Sequence, residues 1–351
     1  MIYIQAHFNL TRILMLAIGL WPYKQTKLVQ LQLILVSSIL TSFVVFQVKY
    51  SFEQLQDICN ELNDDGEIAI IKRYGNDTKR YTLIFFVCAM CCVVFVGFLS
   101  IWPQILSTIL PINVSQTQRI MYVMTEYFVD QERYFYLILL HVNTATCIGM
   151  TVRVATGTML VGCFIHACGL FSIASYRIKQ AMTINMMKNA HQEKQILIYR
   201  KIVGAVNMHC KALDFIELLM SAFEGLLFLL IVIDVIIVSL SLYGISSCRD
   251  NISDFVLYVA CISTTFVNIF IANYLAQDVT DHNNDIFVTV YNFQWYMASL
   301  RVQKMVLFML RRGTKTFYLI VGGLFVGSLQ NSATLISASI SYFTVLYSMQ
   351  K

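Results

Sequence analysis

The chain has 351 residues, of which 58% are hydrophobic and only 13% charged, with three prolines and a net charge of +5. Globular domains carry roughly a quarter charged residues, and a soluble core this apolar would leave large hydrophobic patches on the surface. Composition therefore excludes an ordinary soluble protein and predicts an integral membrane one.

Near the N-terminus, Arg12 followed by "ILMLAIGL" imitates a leader, but the "WPYK" after it offers no small-residue cleavage site. The stretch is expected at the membrane interface, with Trp21 and Tyr23 at headgroup level. Crossing about 30 Å of hydrocarbon takes about 20 apolar residues. Runs of that kind start near Leu28, Tyr81, Tyr134, Leu218, Asp254 and Phe317 and end near Val48, Trp102, Leu160, Gly244, Ala276 and Tyr347. The expected fold is an all-α integral membrane protein, a helical bundle of six apparent spans forming one domain over 1–351. The third run continues to Ile173, so its helix is expected to project beyond the bilayer. "EQLQDICNEL", with Leu55, Ile58 and Leu62 at helical spacing, reads as a further helix that ends in a turn near Gly66.

Lysine and arginine alternate between connections. Residues 49–80, 172–215 and 277–316 hold five, seven and five, whereas 103–133 holds two and 245–253 one. The positive-inside rule places the three rich connections in the cytosol and the C-terminus outside. The sequons at Asn113 and Asn251 fall in outside connections and that at Asn76 inside. The N-terminal segment conflicts with six spans, because Arg12, Lys24 and Lys27, with no acidic residue, favour the cytosol.

Motifs for chemistry are sparse. Cys88, Cys91, Cys92, Cys147, Cys163 and Cys261 lie in apolar runs, where cysteine behaves as a small hydrophobe. The Cys88–Cys91 spacing has no second ligand pair, so no metal and no cofactor is expected. No nucleophile triad, carboxylate pair or H-E-x-x-H motif occurs, which argues against an enzyme, and nothing points to nucleic acid. Glu132-Arg133-Tyr134 imitates a G-protein-coupled receptor triplet but precedes its span, on the outside. Arg153 and Asp234 are charges inside spans; they read as a structural pair or as part of a ligand or ion path. His141 and His166 read as packed, hydrogen-bonded histidines.

In the last span, Gln330, Thr334, Ser337, Ser341, Thr344 and Ser348 are separated by 4, 3, 4, 3 and 4 residues, the helical period over five turns. Such a polar stripe faces water in a pore, or else its hydroxyls bond their own backbone or a neighbouring helix.

The C-terminal "NFQWYMASLRVQKMVLFMLRRGTKTFYLIVGGLFVGSLQNSATLISASISYFTVLYSMQ" resembles the signature of insect odorant receptors. "LAIGLWPY", "EQLQDICNEL", "ILPIN", "TEYFVDQERYFYLILLHV" and "HACGLFSIASYRI" are similar to the same family, in the style of its ant and bee members. The resemblance implies seven spans with a cytosolic N-terminus and an outside C-terminus. It implies an odorant-gated cation channel in the cell membrane of a sensory neuron dendrite, a heterotetramer with an obligate co-receptor, in contact with membrane lipid. The last span, 317–347, would line the pore along the stripe and end at its outer mouth, with Val345 and Met349 as the gate. Residues 292–312 would be a cytosolic subunit-contact segment containing Trp295. Small hydrophobic odorants would bind in the outer half of the bilayer, where Phe95, Phe98, Trp102, His141, Met150, Tyr258 and Cys261 are candidates by position.

The sequence departs from the family pattern in three places. Gln294 stands for a usual acidic residue, Ser332 for a usual phenylalanine, and no second span separates the first one from "EQLQDICNEL". With that span missing, the first apolar run is expected to lie shallow, re-enter or insert poorly. A truncated receptor copy and a secondary transporter are the alternatives, the latter requiring inverted repeats that the chain does not display. Enzymatic removal of N-glycans should shift the mobility of the expressed chain, and the shift should vanish when Asn113 and Asn251 are both replaced by Gln. A glycan at Asn76 instead would invert the orientation.

Overall fold

The computed structural model describes residues 27–62, 64–109, 133–186, 192–247, 252–292, 294–314 and 317–349. Its contacts fall into two compact units, Met1–Leu62 and Asn63–Lys351. Seven α-helices are present among the described residues.

In the first unit, α1 (Lys27–Asn60) is one uninterrupted helix of 34 residues. It carries the first apolar run straight into the "EQLQDICNEL" segment, with neither a re-entrant break nor a second span between them. Ser51, Leu55, Ile58 and Leu62 are buried, the helical face that the leucine and isoleucine spacing predicts.

The second unit contains α2 (Asp65–Ile109), α3 (Phe135–Met186), α4 (Gln192–Ser247) and α5 (Ile252–Tyr291). A 3₁₀ turn (Trp295–Met297) and α6 (Leu300–Gly313) follow, then a two-stranded hairpin, β1 (Ile320–Val321) and β2 (Phe325–Val326), and α7 (Leu329–Met349). Among the described residues, four helices are long and apolar enough to cross a membrane: Asp65–Phe95, Phe135–Ile184, Glu193–Ser247 and Asp254–Tyr291.

These helices outrun a bilayer. The 56 residues of α4 extend about 84 Å at 1.5 Å per residue, against roughly 30 Å of hydrocarbon. The three basic connections are therefore mostly helix rather than loop. The projecting lengths form the core: Leu170, Phe171 and Ile178 of α3, Ile202 and Phe215 of α4, and Ile286 of α5 are all fully buried. Towards the opposite ends of the same helices Leu137, Leu140, Leu229, Ile233 and Ile236 stand exposed. Water drives burial only where there is water; within lipid, apolar side chains gain little from leaving the tails. The helix α3 packs against α2, α4 and α5 and so forms the centre of the bundle.

One ionic clasp joins three helices in that core. Glu67 of α2 is 3% exposed and accepts two bonds from Arg177 of α3, from Nε at 2.7 Å and from NH2 at 2.7 Å. The NH1 of Arg177 donates to the Gly204 carbonyl of α4 at 2.8 Å. At the edge, the Gln180 amide and then the Gly66 N–H bond to the Asp64 carboxylate, holding it below the ordinary carboxylate range, with Lys201 3.6 Å away. Gly66 is required here because a Cβ would overlap the hydroxyl of Tyr176. Breaking a buried pair from one side costs about 3–5 kcal/mol, since the remaining charge is stranded. Glu67→Ala should accordingly lower the thermal midpoint of the detergent-purified protein sharply, while replacing the exposed Glu53 of α1 by Ala leaves it unchanged.

Candidate functional site

The expected last span, 317–347, is not helical throughout. Residues 319–327 form the hairpin, and α7 starts at Leu329. Ile320 pairs with Val326 and Val321 with Phe325, and Gly327 N–H donates to the Leu319 carbonyl at 2.8 Å. The turn needs φ of 61° at Gly322 and 66° at Gly323, a region that residues with a Cβ rarely adopt. The apolar run "FYLIVGGLFVG" hides this, although β-branched residues around Gly-Gly are a hairpin signal.

Helices α4 and α5 seat the hairpin. Glu224 Oε1 accepts from the Gly322 N–H at 2.9 Å, and the Phe228 ring lies where a Cβ of Gly322 would be. Phe228 also packs on Phe325, ring centroids 6.0 Å apart. Gly327 likewise fits against Ala276 of α5. The buried Asn273 of α5 accepts from Ser328 N–H at 3.2 Å, and Ser328 Oγ caps α7 by accepting from Asn331 N–H at 3.2 Å.

That seating fixes which way α7 faces. Ser332, Leu335 and Ser339 form its buried face, and Ser239 Oγ of α4 donates to the Ser339 carbonyl at 3.0 Å. At 100° per residue, Gln330, Thr334, Ser337, Ser341, Thr344 and Ser348 centre about 170° away from that face. All six are exposed, so the stripe does not serve packing within the chain. Thr334, Ser341, Thr344 and Ser348 donate to backbone carbonyls three or four residues earlier on α7. Val345 is 55% and Met349 80% exposed, Val345 at the border of the stripe and Met349 further round the helix.

The candidate ligand residues lie at the ends of α2, α3 and α5 remote from the packed bundle. Phe95, Phe98, His141 and Cys261 are exposed, Met150 and Tyr258 half-buried. Tyr258 packs against α4, where a Cβ at Gly244 would come within 2.5 Å of its ring. The side chain of Trp102 and the sequons at Asn113 and Asn251 lie outside the described residues.

In the segment 292–312, Val302, Val306 and Met309 turn α6 inward, and Gln195 of α4 accepts from the Ser299 N–H at 3.1 Å. Trp295, Tyr296, Met297, Leu300, Leu307 and Phe308 are left exposed as an apolar surface. Arg153 and Asp234 do not meet in a salt bridge, though Arg153 is within electrostatic reach of the half-buried carboxylate. His166 Nδ1 lies 2.8 Å from the carbonyl of Gly162 on its own helix, as a packed histidine would.

Two polar groupings escape sequence reasoning. His209 Nε2 is 2.8 Å from Asn283 Oδ1, between the rings of Phe171 and Phe287. Nearby, Cys168, Asp278 and His282 bring their donor atoms within 4.8 Å of one another. The partners come from helices more than 70 residues apart in sequence; only the i,i+4 pair Asp278/His282 was visible. Cys88 and Cys91, the pair with the suggestive spacing, are free and exposed.

A sequence model of the 7tm odorant receptor family matches residues 26–340. The chain belongs to this family. It is a multi-pass membrane protein of a receptor family rather than an enzyme family. Comparison with curated proteins gives no match. Among solved structures, the insect olfactory receptor OR5 from Machilis hrabei in complex with eugenol aligns with a TM-score of 0.68 at 15% identity, covering 99% of each chain. A second structure of OR5 from Machilis hrabei aligns at 0.51 and 15% identity, covering 98% of each. At that identity the likeness establishes the fold alone, and it agrees with the all-helical membrane architecture of this odorant receptor.

In this receptor the residues at the family departures behave differently from one another. Gln294 occupies the N-cap of the 3₁₀ turn, and its side chain does not bond to the turn's own N–H groups. Ser332 is buried with its Oγ unpartnered. An orphaned buried hydroxyl costs about 1–3 kcal/mol, so Ser332→Ala should leave the thermal midpoint unchanged or raise it. Gly322→Ala should lower it more than Gly323→Ala, because both strain a positive φ but only Gly322 also meets Phe228. Equal losses for the two glycines would show that Phe228 yields freely.

Proposed function

We propose that this odorant receptor is the ligand-binding subunit of an odorant-gated cation channel in the cell membrane of sensory neurons, assembled with a co-receptor subunit. The observation that carries the proposal is the orientation of α7, whose polar stripe faces away from α4 and α5, the helices that seat it. Exposed hydroxyls and amides along a membrane-length helix are stable beside water or another subunit and poorly placed against lipid tails. Several such helices around a shared axis would line a water-filled path. The stripe has no acidic residue, so it would contribute little charge-based selectivity, and the exposed Val345 and Met349 supply an apolar constriction that closes by dewetting.

The exposed apolar surface of Trp295, Leu307 and Phe308 suits the subunit contact. Small hydrophobic odorants are the ligand class, taken up among Phe95, Phe98, Trp102, His141, Met150, Tyr258 and Cys261. Aromatic, thioether and thiol side chains make adaptable apolar contacts. The eugenol held by the Machilis hrabei receptor, whose fold this chain shares, supports that class.

The test is coexpression with a co-receptor and current recording across an odorant panel. Ser341→Cys should make odorant-evoked current sensitive to a charged, water-soluble thiol reagent, and Val345→Ser should raise basal current or alter ion permeability. Ser332→Ala, on the buried face, should do neither. Normal surface levels with currents unaffected by either stripe-side change would sink the pore assignment.

A further inference from the structure

Cys168 of α3 is 1% exposed, and its thiol lies 3.7 Å from Asp278 Oδ2 of α5. One helical turn along α5, His282 places Nδ1 3.3 Å from Asp278 Oδ1. A thiol, a carboxylate and an imidazole thus converge from two helices, with donor atoms all within 4.8 Å. Zinc bonds of about 2.3 Å to sulfur and about 2.0 Å to nitrogen or oxygen give tetrahedral edges of about 3.3 Å for N···O and about 3.5 Å for S···O. The two observed separations, which run to different oxygens of the one carboxylate, fall at or just above these edges, and a shared ion would draw the thiol, carboxylate and imidazole together from within 4.8 Å.

The surroundings are those of a metal ligand as well. Metal-binding histidines hold their second ring nitrogen in a hydrogen bond that fixes tautomer and orientation. Here Nε2 is 2.9 Å from the Tyr74 hydroxyl of α2, which is itself 2.7 Å from Ser172 Oγ of α3. Without an ion, Nδ1–H has the Asp278 carbonyl as its acceptor at 2.8 Å. With an ion, the proton moves to Nε2 and Tyr74 accepts it, and the ring turns Nδ1 away from the Asp278 carbonyl so that its lone pair meets the metal beside the carboxylate. A thiolate and an imidazole select a borderline-soft ion over calcium or magnesium.

We propose that Cys168, Asp278 and His282 bind one zinc ion, with a fourth position open to water, and that the ion clamps α3 to α5. Tyr74 is a positioning residue. Asp278 lies on α5 within two turns of Asn273 and Ala276, which seat the hairpin and the start of α7. The ion thus fixes the segment of α5 from which the stripe-bearing helix is held.

The test uses the full chain purified in detergent micelles, loaded with Zn²⁺ or Co²⁺ and dialysed. Wild type should retain about one zinc per chain by elemental analysis, and the cobalt form should display a thiolate-to-cobalt charge-transfer band. Cys168→Ala and His282→Ala should retain less than a tenth of that metal and lose the band. Tyr74→Phe should keep the band with affinity reduced about 10–100-fold, and Cys91→Ser, an exposed cysteine on α2, should change nothing. Wild type that keeps less than a tenth of an ion per chain, or that gives no thiolate band, overturns the proposal without recourse to any variant. Unchanged metal content in a monodisperse Cys168→Ala protein overturns it equally.

Discussion

The dominant constraint on the second unit is that its helices are longer than the membrane is thick. Each of α2 to α5 must satisfy lipid along one part and water along another, with a single unbroken backbone ladder. Along the lipid part, an apolar side chain is as comfortable facing outward as inward, so Leu140, Leu229 and Ile236 remain on the outside. Along the water part, the same residue types must be covered. The fully buried phenylalanines, leucines and isoleucines accordingly concentrate in the C-terminal half of α3, the N-terminal half of α4 and the C-terminal half of α5. Polar groups are buried there too, and several are paired across helices. Arg177 with Glu67, Tyr74 with His282 and Ser172, and His209 with Asn283 each join two or more helices. Packing supplies the stability, whereas these directional contacts define the register between helices.

From that bundle, contacts propagate to α7 through short connections. The hairpin rests on Glu224 and Phe228 of α4 and on Ala276 of α5, Ser328 on Asn273, and Ser339 on Ser239. The rotation of α7 about its axis is therefore set by atoms of α4 and α5. A hairpin with two consecutive positive-φ glycines is a compact way to reverse the chain without surrendering backbone hydrogen bonds close to the bilayer.

Hydropathy and helical spacing made the membrane class, four of the six expected spans and the period of the stripe legible, because both signals are local and periodic. The third helix was expected to project, and it runs to Met186. The extent of projection elsewhere was not legible, since charged residues such as Arg177 and Glu67 read as loop until their buried partners are known. The hairpin was lost inside an apolar run whose length suited a span. The Cys168–Asp278–His282 cluster depends on contact across 110 residues of sequence, a relationship that no local pattern carries. The Cys88–Cys91 spacing, by contrast, is a local pattern, and both of its thiols are exposed.

The stripe on α7 also bears on why its hydroxyls can remain unpaired with other helices. A serine or threonine that donates to the carbonyl three or four residues earlier has already satisfied its proton within the helix. Four of the six stripe residues do this. Their oxygen lone pairs remain free to accept, from water or from a partner helix, while the helix alone incurs little cost in donors. Ser332 is the inverse case on the opposite face, enclosed and with its hydroxyl unpartnered. The two faces of α7 thus follow different rules. The inner one is built of small residues and Leu335 fitted closely against α4 and α5, and the outer one tolerates polarity because its hydrogen atoms are already committed to the backbone.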